Sequence, residues 1–305
     1  MTAPAPRRDA QPQGHPIRAL ALDLDGTLLT SDKRVSADSL ATLRALLARN
    51  LKIMAVTGKA PRLSGRCLAP LDLPMVCLDG AVHVAAGVER WVPGTTIGTS
   101  LAGEVLTASD APCYVLAAGT TLVRGAVEEP QFSDWSDRVS PLNSSRHLRR
   151  VTHMVFPHRD RGKLNELARR VQQLERRLGC AELGIHVTDE PFFGRYSLFI
   201  RRAGCTKLRG MRSLARRMRF SLGETMFIGD WVNDIPLLRE VGFPVAMRHA
   251  PPAVSSCARA MTLFGNDEEG VGRFLRAYYA IDPDASVPVP RVADEAPSAA
   301  PRGRC

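Results

Sequence analysis

Asp23-Leu24-Asp25-Gly26-Thr27, set directly behind the apolar run Ile17–Leu22, decides the fold of this chain. The run is short, has no helical period and ends in charge and glycine, which predicts a buried strand over Ile17–Asp23. Carboxylates at i and i+2 leave the end of a strand on the same side. In an open parallel α/β sheet, the carboxyl ends of the strands form the edge where ligands bind. Gly26 permits a sharp turn there, and Thr27 offers a hydroxyl and a backbone N–H to an anion. One carboxylate can then attack an electrophile or hold a cation while the other moves a proton. A strand ending in a solvated Asp-Gly turn would have the same local sequence.

Three further segments share this design. Leu51–Val56 is a second apolar run, followed by Thr57-Gly58-Lys59: a hydroxyl, a flexible joint and a cation. Thr206 is placed to cap an amphipathic helix with Leu208, Met211, Leu214, Ala215 and Met218 on one face. Lys207 would then sit at the positive end of the helix dipole, where anions bind. Thr225–Ile228 is a third apolar run and leads into Gly229-Asp230-Trp231-Val232-Asn233-Asp234, two carboxylates in one loop. That loop equally suits a capped turn before a helix near Asp234–Val241.

With these four segments in order, the chain resembles the haloacid dehalogenase superfamily of phosphohydrolases, in particular its Cof-like branch with a C2-type cap (subclass IIB). The resemblance rests on Asp23–Thr27, Val56–Gly58, Lys207 and Gly229–Asp234. It is extended by Tyr196–Ile200, Gly204–Lys207, Val245–Met247 and Asn266–Val271. It implies that Asp23 is the nucleophile, forming an aspartyl-phosphate, and that Asp25 is the acid and base. Mg²⁺ is the implied cofactor, held by Asp23, Asp230, Asp234 and the backbone carbonyl of Asp25. Thr57, Gly58 and Lys207 would bind the phosphoryl group. Lys59, Asp79, Asn233 and Asn266 are candidates for contact with substrate or with these residues. The expected substrate is a small phosphorylated metabolite such as a sugar phosphate. A sucrose- or mannosylglycerate-phosphate type of phosphatase and a phosphomutase are alternatives, and a basic RNA- or protein-binding protein on a retained hydrolase scaffold is a more distant one.

Three positions depart from the branch: Lys59 where it has Arg, Asp79 where it has Asn, and Trp231 where it has Gly. Lys59 replaces a bidentate fork by a point charge. It could pair with Asp79, whose charge would otherwise oppose a phosphate; Asp79 could equally cap a turn before Gly80. His83, His153, His158 and His186 stand isolated and are expected to be structural or superficial. Arg195 and Arg201 flank a cap strand and could meet a substrate, although Arg is so abundant in this chain that surface charge is the expectation.

The 305 residues can bury one large core or two smaller ones. The pattern predicts a doubly wound, Rossmann-like parallel sheet from 17–81 and 202–281, with an α+β insert over 82–201. Helices are expected near Ser36–Asn50 and Gly162–Leu178, with strands at Met75–Leu78, Pro244–Met247 and Ala260–Leu263. Residues 1–16 and 282–305 are rich in Pro, Ala, Arg and Asp and are expected to be disordered tails. Mean hydropathy is −0.10, and no apolar stretch approaches the ~18 residues of a membrane span. The seven cysteines include no CxxC pair, which fits reduced thiols in the cytoplasm. Net charge is +10, but the arginine pairs lie at helical spacing without interleaved aromatics, so nucleic acid is not expected as a partner. A monomer or weak homodimer is expected.

Overall fold

The computed structural model describes residues 17–125, 138–190 and 195–281. The expected tails, 1–16 and 282–305, lie outside the described residues. The chain begins with β1 (Ala19–Leu22), α1 (Ala37–Ala48), β2 (Lys52–Val56), α2 (Pro61–Cys67), β3 (Met75–Cys77), β4 (Val82–Ala85) and β5 (Val88–Trp91). Next come α3 (Thr99–Thr107), β6 (Cys113–Ala117), β7 (Thr120–Arg124), β8 (Val139–Pro141), β9 (Val151–His158), α4 (Arg161–Arg177), β10 (Leu183–Glu190) and β11 (Arg195–Arg202). The chain then runs through α5 (Lys207–Met218), β12 (Thr225–Gly229), α6 (Ile235–Leu238), β13 (Phe243–Ala246), α7 (Pro252–Ser255), β14 (Ala260–Met261) and α8 (Gly270–Tyr279).

The first sheet has the order β14-β13-β12-β1-β2-β3-β4-β5, parallel from β14 to β3. Its residues alternate between two apolar layers, as the two-residue period of a strand requires. Leu20 and Leu22 pack with Leu43 and Leu46 of α1 and Phe274 and Leu275 of α8. Ala19 and Ala21 pack with Met211 and Leu214 of α5 and Leu237 of α6 on the other face. Helices therefore cover both faces of a buried parallel sheet. The chain leaves β1 toward β2 and returns on its other side as β12, so the order reverses between β1 and β12. That reversal is where a ligand crevice opens at the carboxyl edge.

Several sequence expectations meet the structure closely. Ser36 caps α1 by accepting from the Ser39 N–H, and Thr206 caps α5 by accepting from the Arg209 N–H. The helix expected over Asp234–Val241 is one turn, Ile235–Leu238, preceded by a 3₁₀ turn at Val232–Asp234. The strand expected over Ala260–Leu263 is only Ala260–Met261. Residues 82–91 were expected in the insert, yet β4 and β5 pair antiparallel onto β3 and extend the first sheet. Val82 is fully buried in the layer that contains Leu78 and Met75, and this packing keeps the hairpin with the core.

The second sheet has the order β10-β11-β9-β6-β7-β8. Met154 and Phe156 of β9 and Leu198 and Ile200 of β11 face α3 and α4. The alternate residues, His153 and Val155 on β9 and Phe199 and Arg201 on β11, point to the opposite face. His153 and Arg201 are partners in the β9–β11 register.

One contact between backbones fixes α5 against the carboxyl end of β3. A Cβ built on Gly210 would lie 2.4 Å from Val76 Cγ1 and 2.6 Å from Gly80 Cα. Gly210→Ala therefore cannot be accommodated without moving α5. We predict that it lowers the thermal unfolding midpoint by about 5 °C, the scale of an overpacked core site; an unchanged midpoint in differential scanning calorimetry would show that the helix has room to spare.

Candidate functional site

The carboxyl ends of β1, β2 and β12 bring the predicted residues together. Asp23 follows β1, and its N–H donates to Ile228 O at 3.0 Å, which ties the end of β1 to β12. Asp230 follows β12, and the Thr27 hydroxyl donates to its Oδ1 at 3.0 Å. Asp234 Oδ2 accepts the N–H groups of Asp230 and Trp231, each at 3.1 Å, so Asp234 braces the turn that presents Asp230. Gly26 has φ +73, and a Cβ there would lie 2.4 Å from Asp230 Oδ2; the turn after Asp25 leaves no space for a side chain. One carboxylate oxygen from each of Asp23, Asp230 and Asp234 lies within 4.8 Å of the others, and all three residues are buried.

Lys207 sits inside this group. Its Nζ donates to Asp23 Oδ1 and to Asp234 Oδ1, both at 2.7 Å. Burial alone would push the Lys207 ammonium down, but the charges of Asp23, Asp234 and Asp79 outweigh it and raise it above its ordinary value. Asp23 is pushed well up, first by burial and then by repulsion from Asp234 and Asp230, against the opposing pull of Lys207. Asp234 is raised by burial and by Asp230, again against Lys207. Three buried carboxylates face one ammonium, so full ionisation would leave the cluster with excess negative charge. A hard divalent cation with oxygen ligands fits that deficit and that donor set.

Asp25 stands apart. Its carboxylate is half-exposed and lies 2.8 Å from Lys33 Nζ and 2.9 Å from Lys59 Nζ. The expected Lys59–Asp79 pair is replaced by this one: Lys59 is buried behind Thr57, and its Nζ reaches Asp25. Thr57 is also buried, and its Oγ1 accepts the Lys59 N–H at 3.1 Å. Gly58 separates the two residues, and its backbone passes the Asp79 carboxylate closely enough that a Cβ would lie 3.5 Å from Oδ1.

Asp79 does not merely cap a turn. Oδ1 accepts from Asn233 Nδ2 at 3.0 Å, Oδ2 lies 3.0 Å from His153 Nε2, and Arg201 is 3.7 Å away. Burial would raise its carboxyl, but the His153 hydrogen bond and the charges of His153, Arg201 and Lys207 hold it well below the usual carboxylate range. His153 and Arg201 thus belong to the site's surroundings, contrary to the sequence expectation. The Arg195 side chain lies outside the described residues. Asn266 donates to Leu29 O at 2.9 Å and so braces the segment after Thr27. Sequence reasoning missed Lys33, and also His249, whose Nε2 lies 3.7 Å from Asp230 Oδ2. No local pattern marks either residue.

Removing Lys207 and removing Lys33 should differ sharply. In metal-free buffer Lys207→Met leaves Asp23 and Asp234 buried without their cation, a loss of about 3–5 kcal/mol. Lys33→Met removes a largely solvated pair and should cost less than about 1 kcal/mol. Urea unfolding of both variants checks this; equal losses would mean that the Lys207 cluster is no more than a surface pair.

The model of the haloacid dehalogenase-like hydrolase family matches residues 20–89 and 126–275. An HMP-PP phosphatase of Serratia proteamaculans (strain 568) is 26% identical over 273 residues, covering 85% of this chain and 94% of that protein. A pyridoxal phosphate phosphatase of Escherichia coli (strain K12) is 24% identical over 289 residues, covering 86% and 98%. Among solved structures, a sugar phosphatase of haloacid dehalogenase subclass IIB superposes with a TM-score of 0.67 at 21% identity, covering 87% of this chain and all of that one.

Proposed function

The chain belongs to the haloacid dehalogenase-like hydrolases, and on that premise we propose that it is a Mg²⁺-dependent phosphatase of a small phosphorylated metabolite, acting through an aspartyl-phosphate on Asp23. The observation that carries this reading is Lys207 bridging Asp23 and Asp234 inside a buried acidic cluster, with Asp25 held outside it by two lysines. The separation gives the two carboxylates different work. Asp23 is fixed in place to attack; Asp25 is accessible and able to exchange a proton.

In the first half-reaction an Asp23 oxygen bonds to phosphorus, the ester P–O bond breaks, and the departing oxygen takes the proton of Asp25. In the second, Asp25 takes a proton from water, whose oxygen attacks phosphorus and releases inorganic phosphate, restoring Asp23. Lys207, the Thr57 hydroxyl and the Gly58 backbone hold the phosphoryl oxygens as charge spreads over them. Asp23, Asp230 and Asp234 would hold Mg²⁺ with the backbone carbonyl of Asp25, and the ion would supply neutralising charge to the transferring group. Residues 92–201 act as the cap, and the second sheet's face bearing His153 and Arg201 meets the part of the substrate beyond the phosphate. The metabolite class is consistent with the phosphatases that this chain is similar to. Among the described residues no helix is long and apolar enough to cross a membrane.

A screen of phosphorylated metabolites with Mg²⁺ present, then chelated, tests the proposal. We expect turnover that stops on chelation and returns with Mg²⁺. Asp23→Asn should reduce it by at least about 10⁴-fold while the circular dichroism spectrum is kept, because an amide is a poor nucleophile of nearly the same shape. Phosphatase activity near the wild-type level in a pure, metal-replete Asp23→Asn sample would refute the covalent route.

A further inference from the structure

The turn after β3 is the most strained segment near the site. Leu78, Asp79 and Gly80 have φ values of 54, 50 and 103, three left-handed residues in succession, two of them with side chains. Left-handed backbone is unfavourable for such residues and persists where surrounding contacts over-determine it. Those contacts come from every side. The Leu78 N–H donates to Lys59 O at 3.0 Å and the Asp79 N–H to Thr57 O at 3.1 Å. Gly80 abuts the first turn of α5, where an added Cβ would lie 2.0 Å from Thr206 O. The turn is therefore clamped between the phosphate-binding segment and the lysine helix, and its side chain is aimed by a rigid frame.

What it aims is a planar carboxylate with two distinct partners. Oδ1 receives Asn233 from the loop that carries Asp230 and Asp234, whereas Oδ2 receives His153 from β9, with Arg201 of β11 beside it. His153 and Arg201 are register partners in the second sheet, so any movement of that sheet moves both together. A carboxylate cannot turn one oxygen without turning the other. Moving the second sheet takes His153 and Arg201 from Oδ2, and a carboxylate that turns to follow them carries Oδ1 away from Asn233.

We propose that Asp79 is a positioning residue that relays the seating of the cap to the metal loop: with His153 and Arg201 in place, it holds Asn233 and hence the orientation of Asp230 and Asp234. The inference rests on the metal-dependent reading above. Its consequence is that a residue of the second sheet, acting through Asp79 and Asn233, controls how well the acidic cluster binds a cation. The charge at position 79 is essential to the role. A neutral amide there would accept from Asn233 but would no longer attract Arg201.

The test is Mn²⁺ binding to the free protein, followed by electron paramagnetic resonance, with p-nitrophenyl phosphate turnover measured in parallel. Wild type, Asp79→Ala, Arg201→Gln, His153→Gln and the Asp79→Ala/Arg201→Gln double variant are compared. Each single variant should weaken Mn²⁺ binding about tenfold, the scale of one hydrogen bond to a charged group. Each should also lower kcat more than it raises KM. The double variant should bind no worse than the weaker single, because both remove the same link. Wild-type Mn²⁺ affinity in Arg201→Gln and His153→Gln would overturn the relay, as would a double variant whose loss is the product of the two singles. If Asp79→Ala does not fold, the two cap variants decide the matter alone. Wild type that turns over the ester and binds Mn²⁺, with cap variants that bind equally well, would defeat the relay and leave the phosphatase reading standing. Wild type that does neither would defeat both.

Discussion

The ammonium of Lys207, shared between Asp23 and Asp234 at 2.7 Å each, is the interaction on which the rest of the structure depends. Burying three carboxylates together is unfavourable unless cations are supplied and hydrogen bonds satisfy the remaining oxygens. The fold meets that demand from three directions. The lysine enters from α5, whose first turn is pressed onto the β3 turn through Gly80 and Gly210. Thr27 and the N–H groups of Asp230 and Trp231 occupy oxygens of the loop carboxylates. The cluster of three carboxylate residues is one that could hold a divalent ion. The order reversal between β1 and β12 puts all of this at one sheet edge, so topology and electrostatics have the same focus.

The proposed division of labour between the two motif carboxylates rests on burial more than on sequence. Asp23 and Asp25 are two residues apart, yet the first is enclosed beside Lys207, Asp230 and Asp234 and the second meets solvent and two lysines. An enclosed carboxylate with a fixed partner suits bond formation at phosphorus. One at the rim suits proton exchange with a leaving group or with water. Lys59 fits the proposed assignment, because its Nζ lies 2.9 Å from Asp25.

Much of the core was legible because its determinants are local. Apolar runs, strand-end carboxylates and the caps Ser36 and Thr206 are each encoded within a few residues, and the structure realises them. Asp23, Asp230, Asp234 and Lys207 could be grouped because each follows a strand or opens a helix at the same sheet edge. What was not legible depends on pairings across long stretches of chain. Nothing near Lys59 tells whether it meets Asp25 or Asp79, and nothing near His153 or Arg201 tells that two strands of the second sheet align them beside Asp79. The β4–β5 hairpin was assigned to the insert because an antiparallel pair breaks the strand–helix alternation, although it extends the core sheet. His249 and Lys33 reach the site from loops with no motif of their own.

The most direct measurement of the central claim is the covalent state of Asp23 during turnover. Mixing the Mg²⁺-loaded protein with a rapidly cleaved phosphate ester, quenching in acid within the first turnover and mapping the peptides by mass spectrometry would locate any transferred group. The account predicts one phosphoryl group on the peptide bearing Asp23, absent without Mg²⁺ and absent in Asp23→Asn. Release of inorganic phosphate in that first turnover with the Asp23 peptide unmodified throughout would contradict it, and would mean that water attacks the ester directly.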